Sequence, residues 1–452
     1  VAGVMSYEEY ARDYIKDVQD GPDLIKIFVD GDNYNWNENS TWEEIAGDNY
    51  STVAEAYEKE FKNGGEYTDY IDYMVKEKVI DPEGYAEKYA PTVVCNGQTE
   101  KITSEYAEFG IPVNGEYDVS VTTTDGGRGT TKATITKCKI ETFSNICDEN
   151  TEIISDGYTV TVPAGFAYGT SDNVKSVNGG LVITDSVDSN GNSTGNEYVW
   201  IPVDKTKLTV GNTEKKITKI SSGTDYEGVL YDFYRPSSTE MTNYGLGTTS
   251  WREPDVVSDY DETSDDPVGI KKENLQKEYN DMIASIKKYG GFYVARYEAG
   301  IENGKVTSKI GVTPTSAEND QSKTWYGLYS LAKTYTNNKN SVTSQMIWGS
   351  QYDAMLNFAL TGNDKSKVTS TEYGNYSNTL LKTGLTRTSD KINNIYDLGG
   401  NLFEWTSEAC DSGFRAIRGG FCSNAGSPAS RSSRYPTDSN PSFSMRSSLY
   451  VK

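Results

Sequence analysis

The sequence predicts an α+β protein in three regions: a helical amino-terminal region over 1–90, a small β-sandwich-like module over 91–150, and a mixed, loop-rich domain over 151–452. Three observations carry this reading. Tyrosines and aliphatics recur at helical spacing in the first region, and the period drops to two in the second. In the third, short helix and strand patterns are separated by long Gly-, Ser-, Asn- and Asp-rich gaps. A chain of 452 residues has room for about three domains of ~150 residues each.

The first helix is predicted from Ser6 and Glu9, spaced as a capping box, with Tyr7, Tyr10, Ala11, Tyr14 and Val18 on one face. A second covers 52–61 through Val53, Tyr57 and Phe61 and stops at Asn63-Gly64-Gly65. Tyr67, Ile71, Met74 and Val75 suggest a third, and the tyrosine stripe reads as a core face. Asp30, Asp32 and Asn35 outline a calcium loop. Tyr34, however, takes a ligand position and Thr41 stands where the closing Glu belongs, so structural calcium stays unassigned.

In the second region Tyr117, Val119 and Val121 alternate with polar residues, and Ala133 and Ile135 do so beyond Asp125-Gly126-Gly127. That is a β-hairpin with a Gly-rich turn, and nothing in it carries chemistry. In the third region, 158–162 and 198–203 read as strands. Leu275, Tyr279, Met282, Ile286 and Tyr289 form the seam of a helix ended by Gly290-Gly291, with a strand over 292–297 behind it. Trp325, Leu328, Tyr329 and Ala332 mark another helix, and Trp348, Tyr352, Met355 and Ala359 a further one. The gaps at 184–196 and 255–269 read as loops, where function usually sits.

Composition removes several function classes. The chain has no histidine, which excludes Ser-His-Asp and Cys-His relays, HExxH zinc sites and two-His-one-carboxylate iron sites. Its 66 Asp and Glu against 43 Lys and Arg give a net charge of −23, the wrong sign for nucleic acid or an anionic membrane surface. The hydrophobic fraction is only 35%, but 34 Tyr, 12 Phe and 7 Trp supply rings for cores. No stretch approaches the ~18 to 20 apolar residues of a membrane span. The chain starts at Val1, so it reads as processed, or as a fragment whose export or anchor segment is gone, which suits an extracellular or cell-surface protein. Five cysteines, at 95, 138, 147, 410 and 422, include no CxxC pair. Cys422 is a candidate partner for Cys410, and Cys138 or Cys147 for Cys95; burial as small apolar side chains is an equal alternative.

The carboxy-terminal segment is the most informative. Asn394-Ile395-Tyr396-Asp397-Leu398-Gly399-Gly400-Asn401-Leu402-Phe403-Glu404-Trp405-Thr406 leads into Arg418-Gly419-Gly420, then Arg434, then Met445-Arg446 before a terminal strand. The two glycine pairs permit positive φ or close backbone approach. Trp405 suits a core anchor, and Glu404 and Arg418 are candidates for an internal ion pair. Asn401, Glu404, Trp405, Arg418, Gly419, Gly420 and Arg446 are therefore assigned to the scaffold. The segment resembles the sulfatase-modifying-factor (formylglycine-generating-enzyme) family, whose fold is C-type-lectin-like. One departure is Ser444-Met445, where that family has Gly-Phe before the arginine. Upstream, Trp325-Tyr326 and a helix over 344–360 resemble the family's paired core helices. The resemblance implies a C-type-lectin-like fold for the domain over 151–452.

It does not carry the family's chemistry. Enzymes of the family use two copper-binding cysteines shortly after Arg-Gly-Gly, and iron-dependent relatives use histidines. The corresponding stretch here holds Cys422 and no second cysteine downstream, and one thiol cannot make a two-thiolate copper site. No catalytic residue, metal ligand or cofactor is assigned, and a copper- and oxygen-dependent cysteine-modifying activity is the disfavoured alternative.

A second resemblance is closer. Variable proteins of diversity-generating retroelements share the fold and end in a segment that starts at Arg-Gly-Gly and is randomised at scattered surface positions. Clostridial surface proteins with pilin-like amino termini look similar through the 198–203 segment, Arg252-Glu253-Pro254-Asp255, Gly291-Phe292-Tyr293-Val294, Pro428-Ala429-Ser430 and Pro436-Thr437. Around that framework stand Phe421, Cys422, Ser423, Asn424, Ala425, Ser427, Arg431, Ser433, Arg434, Tyr435, Asp438, Asn440, Phe443 and Met445. This mixture has no regular period and is the candidate ligand-binding set. From Arg418 onward Arg418, Arg431, Arg434, Arg446 and Lys452 face a single acid, Asp438. Arg431, Arg434 and Tyr435 are the expected exposed anchors, a cationic spot suited to an acidic protein or glycan. The expected function is a secreted or cell-surface ligand-binding protein of adhesin or receptor type. An alternative is a filament or virion subunit that self-assembles through its amino-terminal region and carries the lectin-like domain as decoration.

Overall fold

The computed structural model describes residues 15–21, 24–29, 91–101, 106–111, 114–122, 128–138, 140–203, 217–221, 227–231, 239, 251–257, 270–315, 324–360, 374–376, 379–385, 391–423 and 426–452. The chain divides into two units, 1–139 and 140–452. The division falls at 139–140 rather than at the expected 150.

In the first unit β1 (Ile15–Gly21) and β2 (Leu24–Val29) pair antiparallel, with Val18 opposite Ile27. Val18 therefore lies on a strand, which corrects the helix expected to run through it. Gly21-Pro22-Asp23 is a turn signal in the sequence, and the aliphatic run of β2 favours extended backbone. The capping box at Ser6, the helices over 52–61 and 67–75 and the calcium-like loop lie outside the described residues. β3 (Thr92–Cys95), β4 (Gln98–Lys101), β5 (Tyr106–Gly110), β6 (Gly115–Thr122) and β7 (Arg128–Ile135) complete two sheets, ordered β4-β3-β6-β7 and β1-β2-β5. The β6–β7 hairpin pairs Val119 with Thr131 and Val121 with Gly129, as its period of two predicts. Val93, Cys95, Val119, Val121, Ala133 and Ile135 from one sheet share an apolar cluster with Ile27, Ala107 and Phe109 from the other. Strands from 15–29 thus belong to the β module that the sequence confined to 91–150.

The second unit carries β8 (Thr151–Ser155), β9 (Tyr158–Val162), β10 (Ala167–Tyr168), β11 (Val182–Thr184), β12 (Glu197–Pro202), β13 (Ile217–Ser221), β14 (Glu227–Tyr231) and β15 (Trp251–Arg252). After them come α1 (Lys272–Tyr289), β16 (Gly291–Ala295), β17 (Gly300–Glu302), β18 (Lys305–Thr307), α2 (Trp325–Ala332), β19 (Val342–Met346) and α3 (Gly349–Leu360). The carboxy-terminal strands are β20 (Phe403–Cys410), β21 (Phe414–Arg418), β22 (Arg431–Arg434), β23 (Phe443–Met445) and β24 (Ser447–Val451).

Helix α1 buries Leu275, Met282 and Ile286 along its seam and ends at Gly290, whose φ of 83° is open to glycine without strain. The helix expected from residue 344 starts only at Gly349. Residues 342–346 pair instead with the terminal strand, Ser344 opposite Leu449, and Glu253 accepts the Ser350 N–H at 3.0 Å to cap α3. The final strand lies between β16 and β19 in the sheet β10-β11-β12-β16-β24-β19. A second sheet runs β15-β20-β21-β22, with β23 parallel to β20. Trp200, Trp325, Trp348 and Trp405 are buried in one cluster that spans this unit.

Candidate ligand-binding face

The second sheet positions the candidate face and its frame. Side chains alternate along a strand. Glu404 opposes Arg418, and Arg418 opposes Arg431, on the side that meets α3. Trp405, Ile417 and Arg415 lie on the other side, where Arg415 stacks 4.0 Å over Trp325 of α2.

Two buried arginine systems hold the α3 side. Arg446 grips Glu404 through Nε at 3.2 Å and Nη2 at 2.6 Å, and donates to the carbonyls of Ala295, Tyr396 and Asp397. Arg418 donates Nη1 to Asp353 at 2.9 Å and Nε to the Ser430 carbonyl at 3.2 Å, with its guanidinium 4.5 Å over the Tyr352 ring. The expected Glu404–Arg418 pair is therefore corrected. The two are cross-strand neighbours, but each charge is met by a partner brought in from elsewhere in the fold.

Deeper still, Glu298 accepts from Leu402 N at 3.2 Å and from the Asn401 amide. Burial pushes its carboxyl well above the usual range, and the charges of Asp397 and Glu404 push it further against the pull of Arg446. Asn401 also accepts from Asn375 and from Leu381 N, so it braces three segments at once. Gly419 and Gly420 take φ of 84° and 78°, and the Gly419 carbonyl accepts from Gly400 N at 2.9 Å. Trp405 packs edge-on to Phe443, 5.1 Å between centroids.

The candidate residues separate by exposure. Ser423, Arg434, Tyr435 and Asn440 are exposed; Phe421, Ser427, Ser433 and Asp438 are half-buried; Asn424 and Ala425 lie outside the described residues. Cys422, Phe443 and Met445 are buried, which removes them from any binding surface. Phe443 and Met445 lie on β23, which pairs with β20 and faces the Trp405 core. Arg431 is corrected as well: its side chain is 8% exposed and turned inward to Asp353, 3.8 Å from Glu408 and 5.1 Å from the Trp251 ring.

Tyr435 is 45% exposed and stacks on Phe414 at 4.5 Å, a flat ring with one side supported. Arg434 opposes Arg415 in register and so follows the opposite face, with Nη1 donated to the Ser433 carbonyl. The ring and the guanidinium therefore bracket the strand instead of forming one spot. The basic surplus of the segment is largely internal, since Arg418, Arg431 and Arg446 are neutralised in the core. Asp353, Glu298, Glu408 and Phe414 were not singled out from the sequence. An acid beside Tyr352, Met355 and Leu356 on a helix with no other charged residue was the available signal for Asp353.

All five cysteines are free, with Cys95, Cys138, Cys410 and Cys422 buried. Among the described residues no three acid or thiol groups converge as metal ligands, and no helix is long and apolar enough to cross a membrane. Comparison of the chain with protein-family models, curated proteins and solved structures gives no significant match.

Proposed function

We propose that residues 140–452 form a ligand-binding module of a secreted or cell-surface protein, of adhesin or receptor type, with its binding surface around both sides of the β22 edge, between β21 and β23. The observation that supports this is the division of labour within one short segment. Arg418, Trp405, Phe443, Met445 and Arg446 are locked into the core, while Ser423, Arg434, Tyr435 and Asn440 stand outside it on the same frame. A rigid frame with exposed aromatic, amide and guanidinium groups limits the entropy lost on binding. It also lets exposed positions differ without cost to the core, as a retroelement-diversified segment requires. The partner is a protein or glycan, and Arg434 is the guanidinium left to meet an acidic group on it. The module is read as non-enzymatic because the segment lacks the second thiolate of a copper pair.

The test is capture of surface polysaccharides and surface-protein extracts by the intact chain and by Arg434→Ala and Tyr435→Ala. Either substitution alone should weaken capture about tenfold, the loss of one hot-spot side chain. Ligand binding that is indifferent to both substitutions would place the function elsewhere.

A further inference from the structure

Arg418 ends β21 and Arg431 begins β22, so the two bracket the segment 419–430 and oppose each other in register. Both guanidinium groups donate to one carboxylate: Arg418 Nη1 to Asp353 Oδ1 at 2.9 Å, and Arg431 Nη2 to Asp353 Oδ2. Asp353, on α3, is 0% exposed. We propose that Asp353 is the positioning residue of the binding face. By accepting from the arginines at both ends of one loop, it ties that loop at its base and sets where β22 and the described parts of the loop, 421–423 and 426–430, are presented. This rests on the reading of the segment as a binding face.

The physical case is one of two like charges. Arg418 and Arg431 share a buried site, where burial and the neighbouring Arg431 both disfavour the charged form of Arg418 and Asp353 opposes them. With that carboxylate neutral, the two guanidinium groups lose the acceptor that joins them, Glu408 stays 3.8 Å from Arg431 Nε, and the less firmly held of the two arginines shifts. β21 is buried and paired on both sides, by β20 and β22. β22 ends the sheet order, and beyond the inward-turned Arg431 its residues are half-buried or exposed. Movement therefore falls on β22 and on the loop before it. The loop base has further ties, because the Ser430 carbonyl accepts from Arg418 Nε and from Gly419 N, and both depend on Arg418 staying in place.

Cys422 lies inside this loop and is 8% exposed, which makes its thiol a reporter of closure that needs no ligand. In Asp353→Asn, Cys422 should be alkylated about tenfold faster than in the wild-type chain, the population change that follows loss of one charged hydrogen bond. Cys95, Cys138 and Cys147, outside the loop, should keep their wild-type rates, read by peptide mass mapping. Arg431→Gln removes one arm and leaves Arg418 on Asp353; it should behave alike, and it serves if Asp353→Asn does not fold. Asp353→Glu should restore slow alkylation. An unchanged Cys422 rate in both variants overturns the proposal. So does equal acceleration at Cys422 and Cys147, which marks general unfolding of the second unit. Loss of the binding reading, with capture indifferent to Arg434 and Tyr435, leaves this measurement untouched, so the two failures are told apart.

Discussion

Glu404 and Arg446, 42 positions apart, form a two-pronged buried ion pair with bonds of 3.2 and 2.6 Å. The pair ties β20 to the junction of β23 and β24, and so connects the second sheet to the strand between β16 and β19 in the first. Arg446 also donates to the Ala295 carbonyl at the end of β16 and to the Tyr396 and Asp397 carbonyls midway along 391–400.

Glu404→Leu should therefore destabilise the second unit by about 3–5 kcal/mol, because it leaves Arg446 buried without its counter-ion. The double variant Glu404→Leu, Arg446→Leu should lose less than the sum of the single variants. Urea denaturation of all four chains measures the difference as a coupling energy.

Stability should fall as pH rises, through Glu298. Its folded carboxyl is held well above the ordinary 4.5, so the folded chain keeps a proton that the unfolded chain releases. The contribution is complete below the ordinary value and is lost as pH climbs toward the folded one, at no more than ~1.4 kcal/mol per pH unit. Glu298→Gln should flatten the decline of the urea midpoint between about pH 5 and pH 9. A variant with the wild-type slope would show that Glu298 is ionised in the fold.

Trp405→Ala should cost ~3 to 5 kcal/mol, since it empties a site packed against Phe443. Arg434→Ala and Tyr435→Ala should each stay within about 0.5 kcal/mol of wild type, because their side chains are exposed. Thermal melts of the three variants separate frame from face. A large loss at Tyr435 would make its stack on Phe414 part of the frame.

Burial raises the Cys95 thiol to about 11, and burial together with Asp411 raises Cys410 to about 12. Near pH 8 neither presents appreciable thiolate, so both should resist iodoacetamide in the folded chain while the half-buried Cys147 reacts first. Peptide mapping after timed alkylation reads the order.

Periodicity and end signals made parts of both units legible. The α1 seam from Leu275 to Ile286 with its Gly290 stop, the α2 stripe from Trp325 to Ala332 and the β6–β7 hairpin are all local patterns, set by residues within a few positions of each other. Val18 and Ser344 were misread for the converse reason. Both lie on strands whose partners, Ile27 and Leu449, decide extended over helical backbone, and Leu449 is more than a hundred residues away. The glycine pair at 419–420 and the Trp405 anchor could be read from residue type alone, because few other residues tolerate those conformations or fill that volume.

By itself the sequence determined which histidine-built sites these residues cannot form, where helices stop, and that the last segment mixes frame and surface residues. It could not assign each arginine to its role, since Arg418, Arg431, Arg434 and Arg446 carry the same charge and similar local surroundings. Tertiary structure made that division by supplying Asp353 to Arg418 and Arg431, and Glu404 to Arg446, leaving Arg434 outside. A buried guanidinium is tolerated only where a counter-ion and acceptors meet it, and those partners come from distant segments that only the folded chain brings together.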